Sequence, residues 1–503
     1  MFVRKKSNKS GSTSIQIIDK SSGKYKVIKT IGSSCDKIEL ERLFLQGQKW
    51  IDDHLGQLSL DLYNENDYCK SFINSIQQIT VSGIELLLGK IFDDIGFNKI
   101  KDQLFRELVL SRLSFPHSKL KTTEYLYRYH SIEVDEDAIY RYLDKLYNTQ
   151  KETVQQISYQ HTLKILNNKI SIVFYDVTTL YFECESEDEI RKPGFSKDGK
   201  HQNPQIVLGL LVSLNGYPLA YEIFEGSKFE GHTMLPVINR FKDVYKIDEL
   251  VIIADAGLLS SENVIELQSK GYDFILGARI KNESKSIKDK ILKLNLKNGE
   301  STFISKDDQI KLVVSYSDAR ARKDRANREK GLKKLEKQIK SGKLTKTNIN
   351  KRGYNKYLKL EGEIKLSIDL NKSEEDSHWD GLKGYITNTK LSKDEIIENY
   401  GHLWNIEKAF RISKSDLKIR PIFHRLKHRI EAHICISFVA YKIYKELERL
   451  LKKKKSYISP EKAIEIAKTI YSIKIITPLN KEIIQQTLLL NDEQKDLAQL
   501  FNF

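Results

Sequence analysis

The chain has 503 residues, 40% of them hydrophobic, so it can bury a sizeable core in two to four domains and is not a disordered chain. Lys and Arg outnumber Asp and Glu by 84 to 68, a formal charge of +16 that favours a polyanionic partner, nucleic acid first. There is no apolar run of about 18 residues and no lipidation signal, which argues against a membrane protein. The N-terminal stretch from Met1 to Lys6 lacks the apolar core of a secretory signal, so a cytoplasmic, nucleoid-associated location is expected. Cys35, Cys69, Cys184 and Cys435 form no Cys-x-x-Cys pair, and neither a disulfide framework nor a zinc site is suggested.

Residues 1–36 read as a basic β ribbon, because apolar residues alternate with lysines on either side of the turn at Ser21 to Lys24. Residues 37–168 show helical apolar spacing and are expected to form a DNA-binding region. Within it, Thr122 to His130 and Asp135 to Leu146 suit either a helix-turn-helix or two helices packed without DNA contact.

The periodicity changes at Lys169, where a core begins that is predicted over 169–280. Ile170 to Phe182 reads as a long strand. Two further strands flank Asn215-Gly216, a strong two-residue hairpin signal. A helix near Met234, the buried strand Glu249 to Asp255, a helix near Ser261 and a strand from Tyr272 complete the order strand, strand, strand, helix, strand, helix, strand. The fold class is therefore α/β with a mixed sheet. Residues 281–375 are lysine-rich and read as an insertion, with strand-like flanks at Ile310 and Gly362; the core is predicted to resume over 376–421. Residues 422–503 are expected to be helical and to offer a dimerisation surface.

The stretch from Tyr400 to Lys414 places chemistry on a helix. At about 100° per residue, Tyr400, Trp404, Glu407, Arg411 and Lys414 fall within roughly 40° of one line. Read alone, this is either a solvated amphipathic face or a carboxylate set among phosphate-seeking side chains. Two upstream carboxylates weigh on the second side: Asp176 on the first strand and Asp255 at the end of the fourth, where ligands of open sheets bind. The plain alternatives are a strand Asp176 bonded to Thr178 or Thr179 and an Asp255 that caps the helix after Ser260.

Three carboxylates gathered together repel one another unless a cation joins them. Mg2+ or Mn2+ suits such oxygen ligands and keeps waters for substrate phosphates. Two ions about 4 Å apart support in-line phosphoryl transfer.

Tyr400, Glu407 and Lys414, with Asp176-Val-Thr-Thr and Asp255-Ala-Gly upstream, resemble the DDE transposases of bacterial insertion sequences. The subgroup signature runs Tyr, two residues, Arg, three residues, Glu, six residues, Lys; this chain departs from it at Leu403, and Arg411 is the candidate replacement guanidinium. The resemblance implies a ribonuclease H-like core interrupted by an insertion domain, with Asp176, Asp255 and Glu407 as catalytic residues and ligands of two metal ions. It implies phosphate contacts from Tyr400 and Lys414 and base stacking by Trp404 or Trp379. It also implies binding to double-stranded DNA, at terminal inverted repeats and at the target, by a homodimer that cleaves and transfers strands. A ribonuclease H-like nuclease without strand transfer and an inactive, transposase-derived DNA-binding protein are the alternatives.

Overall fold

The computed structural model describes residues 1–9, 11–21, 23–55, 65–196, 199–247, 249–307, 309–344, 349–350, 353–361, 365–477 and 482–503. The side chain of Cys69 and residues 362–364 of the expected strand lie outside the described set. Cys35, Cys184 and Cys435 are free thiols. Two compact units emerge, one of residues 1–78 and 473–486, the other of residues 79–472 and 487–503.

In the smaller unit, β1 (Phe2–Ser7), β2 (Thr13–Asp19) and β3 (Lys26–Ser34) form an antiparallel sheet in chain order. Alternation buries Ile15 and Ile17 while leaving lysines outside. Helix α1 (Lys37–Leu55) packs on this sheet through Leu43 and Gly47; a methyl group at Gly47 would stand 3.2 Å from the Val3 side chain.

The larger unit is organised around a sheet of eight strands among the described residues. They are β4 (Ile172–Tyr181), β5 (Gln205–Ser213), β6 (Pro218–Glu225), β7 (Val251–Ala254), β8 (Asp273–Ala278), β9 (Ser301–Ser305), β10 (Lys311–Tyr316) and β11 (Leu382–Thr387), in the spatial order β9-β10-β11-β8-β7-β4-β5-β6. Strands β4, β5 and β6 are antiparallel neighbours, whereas β4, β7 and β8 run parallel. The β5–β6 turn is the Asn215-Gly216 signal: Gly216 has φ +78°, a left-handed conformation open to glycine at no steric cost. Strands β9 and β10, from the lysine-rich stretch, extend the same sheet through β11.

Side chains alternate between two cores, one on each face of the sheet. Val173, Tyr175 and Ala254 join Phe241 and Leu267 of the helices α2 (Met234–Tyr245) and α3 (Ser261–Ser269) on one face. Phe174, Leu180 and Ile253 point to the other, which holds Ile406 and the long helix α4 (Lys427–Lys453). Helix α4 is buried almost continuously from Ile430 to Leu451, as expected of a helix apolar around most of its circumference. Its few buried charges are tied down: the Lys442 ammonium donates to the Ser158 carbonyl over 3.0 Å and to Thr162. No helix among the described residues is long and apolar enough to cross a membrane.

Candidate active site

Strand register sets Asp176 and Asp255 at adjacent positions. In the parallel pair β4–β7, Tyr175 stands opposite Ala254, so the next residue along each strand is one of the two aspartates. Tyr175 and Ala254 face one core, and the alternation of the strands sends Asp176 and Asp255 to the opposite side. Asp176 is half-buried and its Oδ1 accepts a hydrogen bond from the Val177 amide over 2.7 Å. Asp255 is exposed just beyond the end of β7. It does not cap the following helix; the Ser260 hydroxyl does, accepting from the Asn263 amide over 3.1 Å.

Helix α5 (Lys393–Gly401) opens on a reciprocal capping box between Ser392 and Glu395. The single helix line expected from Tyr400 to Lys414 is broken. Helix α5 stops at Gly401, and α6 starts at Trp404 and runs to Ser415. Between them the amides of Leu403, Asn405 and Ile406 bond to carbonyls three residues back, the tighter pattern that disrupts a continuous α-helix. Tyr400 therefore leaves the line of the other four residues and is buried, while Trp404, Glu407 and Arg411 remain on the exposed face of α6 and Lys414 is half-buried one turn on.

The buried Tyr400 hydroxyl donates to Asp255 Oδ1 over 2.9 Å. Burial, then the Asp255 carboxylate, raises the phenol pKa, so the phenol keeps its proton. A methyl group at Gly277 would stand 2.5 Å from the Tyr400 oxygen, so the absence of a side chain at Gly277 makes room for this bond.

Asp255 and Glu407 line one open cleft of about 450 Å³ with Tyr400, Leu403, Trp404, Arg320 and Lys383. Asp176 lies one strand over, outside that lining. Leu403, at the position where the resembling signature has Arg, is buried at the start of α6. Arg411 is not among the cleft-lining residues; the guanidinium that does line the cleft belongs to Arg320, in the first turn of α7 (Asp318–Lys340). Lys383 on β11 lies over the Tyr400 ring at 4.4 Å. Burial lowers the Lys383 pKa and Arg320 lowers it further, while Asp255 and Glu407 favour its charged form. Sequence reading missed both cations, because each is one lysine or arginine among 84 and is placed only by tertiary structure.

A second cavity shares Arg320 and Lys383 with the first and is lined by Trp379, Tyr354, Arg279 and Arg328. Trp379 is partly buried there, whereas Trp404 is 50% exposed at the cleft. Among the described residues, no three His, Cys, Asp or Glu side chains are gathered tightly enough to hold a metal ion. The donor set nevertheless fits a hard dication in kind, since all three candidate ligands are carboxylates placed on one side of the sheet.

The strand order β6-β5-β4-β7-β8, with three antiparallel strands followed by two parallel ones, defines a ribonuclease H-like core. The profile described as "Transposase DDE domain" matches residues 167–443, more than half of the chain, and the chain belongs to that family. No curated protein matches it. Among solved structures, a piggyBac transposase synaptic complex with hairpin DNA is 10% identical, with 80% of this chain and 79% of that chain covered and a TM-score of 0.36. A Mos1 transposase paired-end complex with left transposon end is 12% identical, covering 34% of this chain and 57% of that one at a TM-score of 0.16. A Mos1 mariner paired-end complex with Mn is 13% identical, covering 31% and 54% at a TM-score of 0.14.

Proposed function

We propose that this chain is the transposase of a bacterial insertion sequence, related to the Tyr-Arg-Glu-Lys subgroup, and that it binds the terminal inverted repeats of its element, cleaves at the ends and joins them to target DNA. The observation that carries the reading is the placement of three carboxylates: Asp176 and Asp255 at neighbouring register positions, and Glu407 on the lining of the same cleft as Asp255. Asp176, Asp255 and Glu407 are the proposed catalytic residues and would hold two Mg2+ or Mn2+ ions. Such ions, when bound, activate a water or a 3′-hydroxyl and stabilise the leaving oxygen of an in-line displacement.

The chain's own groups prepare that chemistry. The Tyr400 hydroxyl fixes one oxygen of Asp255 and leaves the other free to ligate. Lys383 and Arg320 bring positive charge to the cleft, suited to backbone phosphates whose recognition is independent of sequence. Trp404 offers an exposed aromatic face at the same cleft and the partly buried Trp379 lines the adjoining cavity, and both are proposed to stack an unpaired base. Arg411 and Lys414 extend the phosphate track along α6. Two DNA ends must be handled together, so a homodimer on double-stranded DNA is the proposed working form.

The test is a labelled DNA carrying the inverted repeat that flanks the gene, incubated with Mg2+, with EDTA, and with Glu407→Gln. Metal-dependent cleavage and joining, both abolished by the substitution, is the expected result. Cleavage without joining identifies a nuclease, and binding without either reaction a repurposed copy. Full activity in Glu407→Gln removes Glu407 from the site.

A further inference from the structure

Two cationic side chains, Arg112 and Lys119, and two imidazoles, His424 and His433, come from separate segments to line a pocket of about 480 Å³ in the larger unit. Arg112 comes from the helix Gln103–Ser114, Lys119 from the start of Lys119–Tyr125, His424 from the segment before α4, and His433 from α4 itself. All four are buried, at 5%, 6%, 7% and 6% exposure.

Their polar partners are few. Among the described residues, the side chains of Lys119 and His424 have no hydrogen-bond or ion-pair partner, and the His424 ring contacts those of Tyr140 and His433. Arg112 has five donors and one long bond, to the Leu417 carbonyl at 3.5 Å. His433 Nε2 lies 3.1 Å from the Ile419 carbonyl, and its Nδ1 is buried without a partner. One carboxylate reaches the lining, that of Glu136, and it accepts from the Tyr140 hydroxyl over 2.9 Å.

Burying a charge without an opposite partner costs several kcal/mol, roughly, even after relaxation. The same imbalance disfavours the charged forms. Burial lowers the Lys119 ammonium, and Arg112 lowers it further; His424 is lowered to about 3 by burial, then by Lys119, Arg112 and Arg429. A planar guanidinium, a lysine amino group and the His424 imidazole around one cavity match the oxygens of a phosphate, while the His433 N–H is already given to the Ile419 carbonyl. Phe423, 70% exposed and part of the lining, supplies an apolar face that inorganic phosphate has no use for and a sugar or base does.

We propose that the pocket formed by Arg112, Lys119, His424 and His433 is a binding site for one phosphate group, separate from the carboxylate cleft. A DNA phosphodiester as its source rests on the proposed function; the phosphate chemistry does not.

The test is thermal denaturation of the full chain in sodium phosphate against sodium chloride at matched ionic strength, with duplex DNA titrated in parallel. The wild type should gain stability with phosphate concentration. Lys119→Met should lose roughly tenfold or more in phosphate affinity, the worth of one charge-assisted hydrogen bond, and Lys119→Arg should retain the response. Weaker DNA binding by Lys119→Met, with a salt slope shallower by about one phosphate, identifies the source as DNA. Unchanged DNA affinity with a lost phosphate response identifies a free phosphate. A wild type indifferent to phosphate overturns the proposal, as does an equal response in Lys119→Met. A wild type that responds to phosphate but binds no DNA overturns the proposed function and leaves this site standing.

Discussion

The Tyr400 hydroxyl donates to Asp255 Oδ1 over 2.9 Å, tying the helix that ends at Gly401 to the end of the strand Val251–Ala254. The hydroxyl is buried and the carboxylate is exposed, so one oxygen of Asp255 is oriented while the group stays open to the cleft.

Tyr400→Phe removes that bond and keeps the ring against Tyr385, whose centroid is 4.8 Å away. A hydrogen bond to a charged group contributes about 1.5–3 kcal/mol, roughly tenfold to a hundredfold if it is spent on positioning. The expected outcome is a little-changed melting temperature, with cleavage falling by that range and the Mg2+ requirement rising. Unchanged kinetics would show that Asp255 needs no such support.

Gly277→Ala attacks the same contact from below. The added methyl would meet the Tyr400 oxygen at 2.5 Å and the Ala256 amide nitrogen at 2.8 Å. Overpacking of this kind costs about 1–3 kcal/mol, visible as a lowered denaturation midpoint. Cleavage should fall as in Tyr400→Phe, and the double variant should be little worse than either single one, because both act through one bond.

Arg320→Gln and Arg411→Gln separate two candidates for the guanidinium that Leu403 lacks. Arg320 lines the cleft beside Asp255 and Glu407, with its Nε 3.6 Å from Asp324, whereas Arg411 is exposed one turn beyond Glu407. Loss of Arg320 should slow strand transfer more than loss of Arg411, while each lowers the salt dependence of DNA binding by about one phosphate. The reverse order in single-turnover rates would restore Arg411.

His424 predicts acid sensitivity. Burial, with Lys119, Arg112 and Arg429 behind it, lowers its pKa from 6.5 to about 3. The unfolded chain takes up a proton that the folded chain refuses, so this contribution to stability is fully present above about pH 6.5 and is lost as pH falls toward 3. The slope from one proton is about 1.4 kcal/mol per pH unit. His424→Gln should flatten the denaturation midpoint between pH 6 and pH 4, to the extent that His424 rather than its buried neighbour His433 governs it; an unchanged profile assigns the effect to His433.

Much of the fold is legible in the sequence. Alternating apolar residues and the Asn215-Gly216 turn identify successive antiparallel strands, and Asp255 follows directly on an apolar run that has to be a buried strand. These are short-range signals: period, turn chemistry and capping depend on residues within one element, and such local preferences survive in isolation. The helix from Tyr400 to Lys414 was legible only in part, because the break at Gly401 depends on hydrogen bonds that shorten to three residues where Tyr400 is drawn onto Asp255.

Composition, the order of elements along the chain and the residue types of a carboxylate site belong to the sequence by itself. Tertiary structure alone decided that Lys383 and Arg320 face those carboxylates, and that Arg112, Lys119, His424 and His433 share a pocket. The reason is that a charge acquires its role from burial and from the sign of its neighbours. Both are set by segments tens to hundreds of residues apart in the chain, and no local period records them.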